Sequence, residues 1–187
     1  MMDDVLPFHV TCVFPEFFSD DAPSGAAAFH QYQGNITDLV ASPWVDEAAW
    51  NEEGDKTASS ASHARIGAGS SIVTPGGGTL CQPTDSLGHG CTSALVRSTS
   101  YVMHLKPGFM LPKSTRVEKT CRAQRYRGGI LVVEHQARSL DVPFGDLFAT
   151  VDRWVVEPST DGLQTRVRVG VTVRFSSFTM FRSQILS

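Results

Sequence analysis

The chain of 187 residues carries a formal net charge of −3, and 41% of its residues are hydrophobic. This length and composition predict a single domain with a sizeable core, and the lack of any apolar run of about 18 residues excludes a transmembrane helix in the sequence. The charges are uneven, because residues 1–60 hold eleven acidic side chains and one lysine, whereas residues 61–187 hold eight acidic and fifteen basic side chains.

Short elements are predicted in the first quarter of the chain. An apolar start predicts an edge strand at residues 5–8, and an apolar stripe predicts a helix over residues 9–18 with a break at Pro15. After a turn, a second short helix is expected over residues 25–32. Residues 36–44 then have the composition of a strand.

Residues 51–93 differ in kind from the rest of the chain. They are rich in Gly, Ser, Ala and Thr and lack any sustained period. A structureless stretch of this length is either a functional loop or a disordered segment. We expect a disordered insertion that loops out between two strands of one domain spanning residues 1–187.

Strands and turns are predicted in alternation from residue 97 onward. The strands are expected at residues 97–105, 114–126, 130–138, 147–156 and 163–175. Glycine and proline mark the turns between them, and Gly145 is expected to adopt a positive φ in the turn over residues 142–146.

The last strand shows the clearest alternation. One face carries Val167, Val169, Val171, Val173 and Phe175, and the other carries Arg166, Arg168, Gly170, Thr172 and Arg174. A period of two predicts a sheet with one apolar and one polar face. Because long strands bend and Gly170 is a natural place for a bulge or a kink, we expect a strongly curved antiparallel sheet of five or six strands whose concave face is apolar.

The loop over residues 106–113 is bounded by prolines, yet its tip carries Phe109, Met110 and Leu111. Large apolar side chains at a loop tip suit either a lid or membrane wedge, or a loop that folds back on the core.

Eight short segments occur in a characteristic order along most of the chain. They read FFSDD at residues 17–21, SPW at 42–44, RSTSY at 97–101, LPKST at 111–115, DVPFGDLF at 141–148, RW at 153–154, RVRVGV at 166–171 and TMF at 179–181. In this order and spacing they resemble the VASt domain, the StAR-related lipid-transfer-like domain of the Aster and Lam sterol transporters and of related plant proteins. The resemblance runs from residue 8 to the C-terminus and leaves out the insertion.

The resemblance implies an α+β helix-grip, StART-like fold with short N-terminal helices, in which a curved antiparallel sheet wraps a long C-terminal helix around a sterol-sized cavity. Most of that helix is expected to be missing, because the sequence ends where it would begin, so the valine face would lack its cover. The resemblance also implies a lid formed by Pro107, Gly108, Phe109, Met110, Leu111 and Pro112. A GRAM-type domain and a membrane anchor are expected partners by resemblance alone.

A lipid site needs an apolar cavity and a few polar groups that orient one hydroxyl. The candidates are large side chains on the apolar strand faces, which either line a cavity or fill a solid core; the resemblance favours the cavity. They are Tyr101, Met103, Leu105, Val117, Phe148, Trp154, Val169, Val171 and Phe175. Asp152 is expected on the same face, where either it meets a ligand hydroxyl or the surroundings of the neighbouring Arg153 are open to water.

Basic residues recur at every third position from Lys113 to Arg125. On a strand they alternate between faces, so the exposed ones form either a solvated face or a patch for anionic headgroups. The uneven charge likewise suits either orientation on an anionic surface or an acidic region packed beside a basic sheet. Nucleic acid is the weaker alternative, because no aromatic platform accompanies the charges.

No metal, cofactor or enzyme activity is predicted. The set Cys81, His89, Cys91 and His63 has no standard zinc spacing. The aspartates near the turns do not assemble into an acid–base pair or activate a nucleophile, so no catalytic residue is expected. The acidic N-terminus lacks a secretory signal, and we expect the thiols to be reduced.

The sequence therefore predicts binding of a sterol or similar lipid and its non-vesicular transfer at membrane contact sites. The protein would be cytoplasmic and peripheral to intracellular membranes, including anionic ones. The alternative is a non-transporting module with a filled cavity, which recruits proteins or membranes through its basic sheet.

Overall fold

The computed structural model of the protein describes residues 2–22, 25, 34–50, 90–106 and 112–176. Several predicted features therefore lie outside the described residues. They are the helix over residues 25–32 except Gly25, the insertion up to residue 89, the lid residues 107–111, and the start of the C-terminal helix after residue 176.

One antiparallel sheet of eight strands forms most of the described structure. The strands are β1 (Met2–Leu6), β2 (Ile36–Ala41), β3 (Val45–Asp46), β4 (Cys91–His104), β5 (Ser114–Tyr126), β6 (Leu131–Ser139), β7 (Phe148–Pro158) and β8 (Thr165–Phe175). Their order is β1-β8-β7-β6-β5-β4-β2. The short β3 also pairs with β4, at residues 95–96, whereas β2 pairs with residues 99–103 of β4. The prediction of five or six strands was too low, because short edge strands extend the sheet at both ends.

The long strands lie close to their predicted positions. β5 begins and ends at the predicted residues 114 and 126, and it is joined to β6 by the predicted glycine turn, here a 3-10 turn at Arg127–Gly129. β4 begins at Cys91, so the last three residues of the expected insertion, 91–93, belong to a strand. They pair with the end of β5 through a bulge between Cys91 and Ser93.

The N-terminal segment forms a 3-10 turn at Val10–Cys12 and the helix α1 (Val13–Phe17). The expected break at Pro15 is wrong. Pro15 lies in the first turn of α1, where a backbone N–H has no partner within the helix, so the missing proline N–H costs nothing. Phe18 ends the helix, and its N–H donates to the carbonyl of Phe14 at 2.9 Å.

This N-terminal segment packs on one face of the sheet and forms the core there. The buried members of the core cluster are Val10, Val13, Phe18, Ala123, Leu131, Val133, Val156 and Val167. Leaving an apolar side chain of this size in water instead would forgo about 1.5–3 kcal/mol. Thr165 is fully buried at the edge of the cluster, and its Oγ1 donates to the carbonyl of Phe8 at 2.7 Å.

The turn before β7 uses its residues differently from the prediction. The left-handed conformation belongs to Phe144, with φ 62°, and not to Gly145. Gly145 is required for a close approach instead, since a Cβ there would lie 2.0 Å from the carbonyl oxygen of Ser139. Its N–H donates to the carbonyl of Val142 at 3.0 Å, which closes the turn against the end of β6.

The expected bulge at Gly170 is also wrong. The pairing of β7 with β8 runs without interruption from Phe148 opposite Phe175 to Pro158 opposite Thr165. The irregularity near the other edge lies in β2, between Thr37 and Val40. A bulge at Gly170 would have moved every following residue of β8 to the opposite face.

Within the part of the chain described, helices are few and short, and none is long and apolar enough to cross a membrane.

The close approach at Gly145 predicts a steric effect. Gly145→Ala should lower the free energy of unfolding by about 1–3 kcal/mol, because the new methyl group overlaps the Ser139 carbonyl. Gly170→Ala is the matched control, since a Cβ there meets nothing within 4 Å. It should raise the stability by about 0.5–1 kcal/mol, because alanine is favoured over glycine within a strand. Urea unfolding measures both, and equal effects would contradict the tight turn.

Candidate functional site on the inner face of the sheet

The face of the sheet on which the N-terminal segment packs is called the inner face here. Directly paired residues of antiparallel strands point to the same side, so the register identifies its members. One row across the sheet runs through Leu95, Ala123, Val133, Trp154 and Val169. Every second residue along each long strand therefore lies on the same face.

Eight of the nine residues predicted to line a cavity lie on this inner face. Tyr101 pairs with Val117, Trp154 with Val169, Phe148 with Phe175, Met103 with Thr115, and Val171 with Asp152. Leu105 follows the end of β4, and its N–H donates to the carbonyl of Lys113 at 2.9 Å. Of the predicted lid, only Pro112 is among the described residues, and it is half-buried.

Described segments cover the inner face unequally. In the first half of β8, which pairs with β1, Val167 is only 3% exposed. Trp154 and Val169 pack against the core cluster there. Further along β8, Val171 is 71% exposed. Two of the predicted cavity residues, Trp154 and Val169, therefore belong to the packed half. The exposed Val171 is the register partner of Asp152 and lies at the boundary of a more accessible half, called the open half here, in which Val117 is nevertheless buried.

A row of small side chains lies in the open half. It consists of the register partners Thr99, Lys119, Ala137, Thr150 and Val173. Apart from Lys119 these side chains are short, and Thr150 is exposed although it points to the inner face. The row beyond it, from Tyr101 and Val117 to Phe148 and Phe175, is larger and mostly apolar. Together the two rows form the open half of the inner face.

A polar row separates the packed half from the open half. Its members are direct register partners on four adjacent strands: Arg97, Cys121, His135 and Asp152. Nδ1 of His135 lies 2.6 Å from Oδ2 of Asp152, and Nε1 of Trp154 donates to the same oxygen at 3.0 Å. The ring of Phe18, from the N-terminal segment, lies 6.0 Å from the His135 ring.

The members of this row shift one another's pKa values. Burial disfavours the imidazolium of His135, but hydrogen bonding to Asp152 and then to Cys121 outweighs it, so the pKa of His135 is raised. Burial likewise opposes the carboxylate of Asp152, yet the hydrogen bond from His135 and its charge lower the pKa of Asp152. The favoured state is an imidazolium–carboxylate pair.

The same row affects Cys121 and Tyr101. Burial disfavours a thiolate at Cys121, but hydrogen bonding and charge from His135, with smaller contributions from Lys119 and Arg97, lower the pKa of the thiol. Burial raises the pKa of Tyr101, and the negative charges of Asp152 and Cys121 raise it further. Tyr101 therefore stays protonated and can donate a hydrogen bond from its hydroxyl.

Sequence reasoning placed Asp152 correctly on the inner face but missed its partners. The register partners Cys121 and His135 were not foreseen, because Cys121, His135 and Asp152 come from three separate strands. The signal was present in the hairpin: Cys121 and His135 are equally distant from the turn residue Gly128, so a symmetric hairpin pairs them.

The N-terminal segment is joined to the sheet at the Arg97 end of the row. Nε1 of Trp44 donates to the carbonyl of Phe18 at 2.6 Å, and the Arg97 guanidinium lies 4.6 Å from the centre of the Trp44 ring. Nη1 of Arg97 lies 3.5 Å from Oδ1 of Asp20. Three of the segments that carried the family resemblance, at residues 17–21, 42–44 and 97–101, thus meet at one point.

The opposite, outer face carries arginines that are paired with acidic groups. The pairs are Arg116 with Asp141, Arg122 with Glu47, Arg153 with Glu134, Arg166 with Asp3, and Arg168 with Glu157. Glu47 lies on residues 47–50, which are helical, and its Oε1 is 2.7 Å from Nε of Arg122. This pairing makes the outer face less basic than the sequence alone predicts.

A family model described as the VAD1 Analog of StAR-related lipid transfer domain, VASt, matches residues 1–187. The chain belongs to the VASt family. No individual curated protein matches the chain. The open antiparallel sheet with few short helices is consistent with a StART-like α+β fold, and membership of the VASt family supports lipid binding as the general function.

Among the residues that the structure describes, no group of histidine, cysteine, aspartate and glutamate side chains could hold a metal ion. The described thiols are free: Cys12 and Cys91 are exposed and Cys121 is buried. Of the imagined zinc ligands, Cys91 lies in β4, and His63, Cys81 and His89 lie outside the described residues.

The His135–Asp152 pair predicts how stability depends on pH. A raised pKa at His135 gives stability that is complete below its usual pKa of 6.5 and is lost as the pH rises through the folded-state value. A lowered pKa at Asp152 gives stability that is complete above its usual 3.8 and is lost as the pH falls. The destabilisation caused by Asp152→Asn should therefore be greatest between these two values, at roughly 1.5–3 kcal/mol.

Urea unfolding of the wild type and of Asp152→Asn, from pH 3 to pH 9, measures the difference in their free energies of unfolding. The other ionisable groups that face or influence the pair are Arg97, Tyr101, Lys119 and Cys121. Asp3→Asn is the control, because its ion pair with Arg166 is at the exposed edge and should contribute little. A pH-independent cost of Asp152→Asn would contradict the ion pair.

Proposed function

We propose that this VASt domain binds a sterol or similar lipid on the open half of its inner face and carries it between membranes. The observation that supports this most directly is an apolar side chain left accessible on the inner face: Val171, which is 71% exposed and pairs with Asp152 of the polar row. An accessible apolar surface next to a few convergent polar groups is the arrangement that lipid sites use.

The proposed lipid lies with its apolar body over the open half of the inner face, from the exposed Thr150 outward. The half-buried large side chains there are Tyr101, Met103, Phe148 and Phe175, and Val171 lies beside them at the β8 end of the polar row. Its hydroxyl group points to the polar row, where the carboxylate of Asp152 accepts a hydrogen bond. The Asp152 side chain is 32% exposed, so one acceptor site remains reachable from the open half.

The mechanism requires only desolvation and no covalent step. The apolar lipid body leaves the bilayer, covers side chains that would otherwise remain in water, and gains roughly 25 cal/mol for each Å² of apolar surface removed from water. We propose that residues 107–112 act as the lid during transit. We also propose that the protein acts in the cytoplasm, peripheral to intracellular membranes and at their contact sites, beside a GRAM-type domain or a membrane anchor.

The alternative, an interaction module that uses a basic sheet face, has less support. It needs uncompensated positive charge on the outer face, where Arg122, Arg153 and Arg168 instead lie beside glutamates. The half-open inner face also differs from the filled cavity that this alternative requires.

Two neighbouring residues of β8 provide the test of lipid binding. Val171 and Thr172 are both exposed but lie on opposite faces of the sheet. Val171→Asp introduces a charge under the apolar body of the lipid and should raise the dissociation constant of a fluorescent sterol at least about tenfold, a loss of about 1.4 kcal/mol. Thr172→Asp adds the same charge to the outer face and should leave the dissociation constant unchanged.

A titration of each protein with the fluorescent sterol measures binding. The rate at which each protein moves the sterol from donor to acceptor vesicles measures lipid transfer. Failure of the wild type to bind would reject the proposed function. Equal weakening by both substitutions would reject the inner face as the site.

A further inference from the structure

We propose that Cys121 is an activated nucleophile that forms a covalent bond with α,β-unsaturated carbonyl lipids that reach the inner face. The cluster that carries this proposal is Cys121, His135 and Asp152, which are register partners on β5, β6 and β7. It rests on the proposed function only in requiring that an apolar molecule can enter the open half.

The order of the three side chains matches the needs of a thiol nucleophile. Asp152 engages Nδ1 of His135 at 2.6 Å, which leaves Nε2 as the ring nitrogen available to the thiol on the strand at the other side. A carboxylate in this position orients the imidazole and stabilises its protonated form, so the thiol proton has an acceptor. Arg97 and Lys119 add positive charge beside Cys121 and favour the thiolate.

The Cys121 thiol is only 2% exposed, and beside it in the next row Thr99 is buried and Lys119 and Ala137 are half-buried. The exposed member of that row, Thr150, lies on β7, two strands from Cys121. A slender apolar molecule would approach the thiol from that side, past the short side chain of Ala137. Water-soluble charged reagents would not be favoured there.

The surroundings favour addition to a conjugated double bond over acyl transfer. Acyl transfer needs backbone N–H groups directed at a tetrahedral oxyanion. Cys121 lies within uninterrupted pairings to β4 and β6, which engage the backbone N–H groups around it. Conjugate addition needs only a thiolate, a proton donor and a group that stabilises negative charge on the carbonyl oxygen.

Each atom in the proposed step is accounted for by these residues. The reactive form is a Cys121 thiolate beside the His135 imidazolium, in which the thiol proton already lies on Nε2 of His135. The sulfur of the thiolate forms a bond to the β-carbon of the conjugated carbonyl compound. The π-electron pair of the carbon–carbon double bond moves toward the carbonyl oxygen, and the α-carbon then takes the proton from His135. The product is a saturated thioether, and no oxidant, reductant or other reactant is needed.

Arg97 is suited to stabilise the negative charge that develops on the carbonyl oxygen. It lies opposite Cys121 in the register, and the residue is 7% exposed. Within the described ranges, its Nε is buried and has no hydrogen-bond acceptor. A buried donor without an acceptor carries a desolvation cost that a bound oxygen atom would relieve.

Peptide mapping by mass spectrometry tests the proposal in the full chain. The protein is incubated with trans-2-nonenal, an apolar conjugated aldehyde, or with a charged maleimide that reports on exposed thiols. We expect nonenal to modify Cys121 faster than the exposed Cys12 and Cys91, and the maleimide to show the reverse order. Modification of Cys12 and Cys91 by nonenal with Cys121 unmodified would overturn the proposal.

Two substitutions test whether Cys121 reacts because its thiol is activated by His135 and Asp152 or only because the reagent can reach it. His135→Gln removes the proton acceptor and should slow modification of Cys121 by nonenal at least about tenfold at pH 7 without changing the rate at Cys12. Asp152→Asn tests Asp152 as a positioning residue, and it should move the pH profile of the Cys121 rate toward that of an ordinary thiol. In the wild type, a Cys121 pH profile identical to that of Cys12 overturns the proposal even if these variants fold poorly.

The sterol titration of the wild type separates this proposal from the proposed function. Sterol binding by the wild type, together with modification of its Cys121, is the expected result. Sterol binding without any Cys121 adduct overturns the covalent step alone. If the wild type shows neither sterol binding nor a Cys121 adduct, the open half of the inner face, on which both proposals depend, is rejected as a binding site.

Discussion

The uninterrupted antiparallel register from β5 to β8 is the constraint on which the rest of the structure depends. Because side chains alternate between faces, a slip of one residue in any of these pairings would send its apolar side chains to the outer face. The register instead aligns Cys121, His135 and Asp152 across three strands and keeps Trp154 beside Val169. Packing, electrostatics and the proposed site all follow from this alignment.

The N-terminal segment covers only part of the inner face. Its aromatic residues cover the half of the inner face around Val133 and Val156, and the indole of Trp44 joins this cover to Arg97 at the edge of the polar row. The row therefore lies where a dry core meets an accessible apolar surface. There, polar groups can be partly desolvated and still reach a ligand, which accounts for both the shifted pKa values and the proposed contact with a lipid head.

Local patterns were enough to predict much of this from the sequence. Alternation identified β5 to its end residues and assigned Tyr101, Val117 and Val171 to one face. Features that depend on contacts between distant segments were missed. The role of Gly145 depends on the carbonyl of Ser139, and the His135–Asp152 pair depends on a register between strands, neither of which a local period reveals. The predicted C-terminal helix falls on residues after 176, which lie outside the described ranges.

Photo-crosslinking with a diazirine-bearing sterol tests the central claim most directly, because it reports which face of the sheet touches the lipid. Tandem mass spectrometry can distinguish neighbouring residues of one strand. The account predicts crosslinks at inner-face positions such as Tyr101, Met103 and Val171, all competed by unlabelled sterol. Crosslinks concentrated on the intervening outer-face residues Val102 and Thr172, or none above a protein-free control, would contradict it.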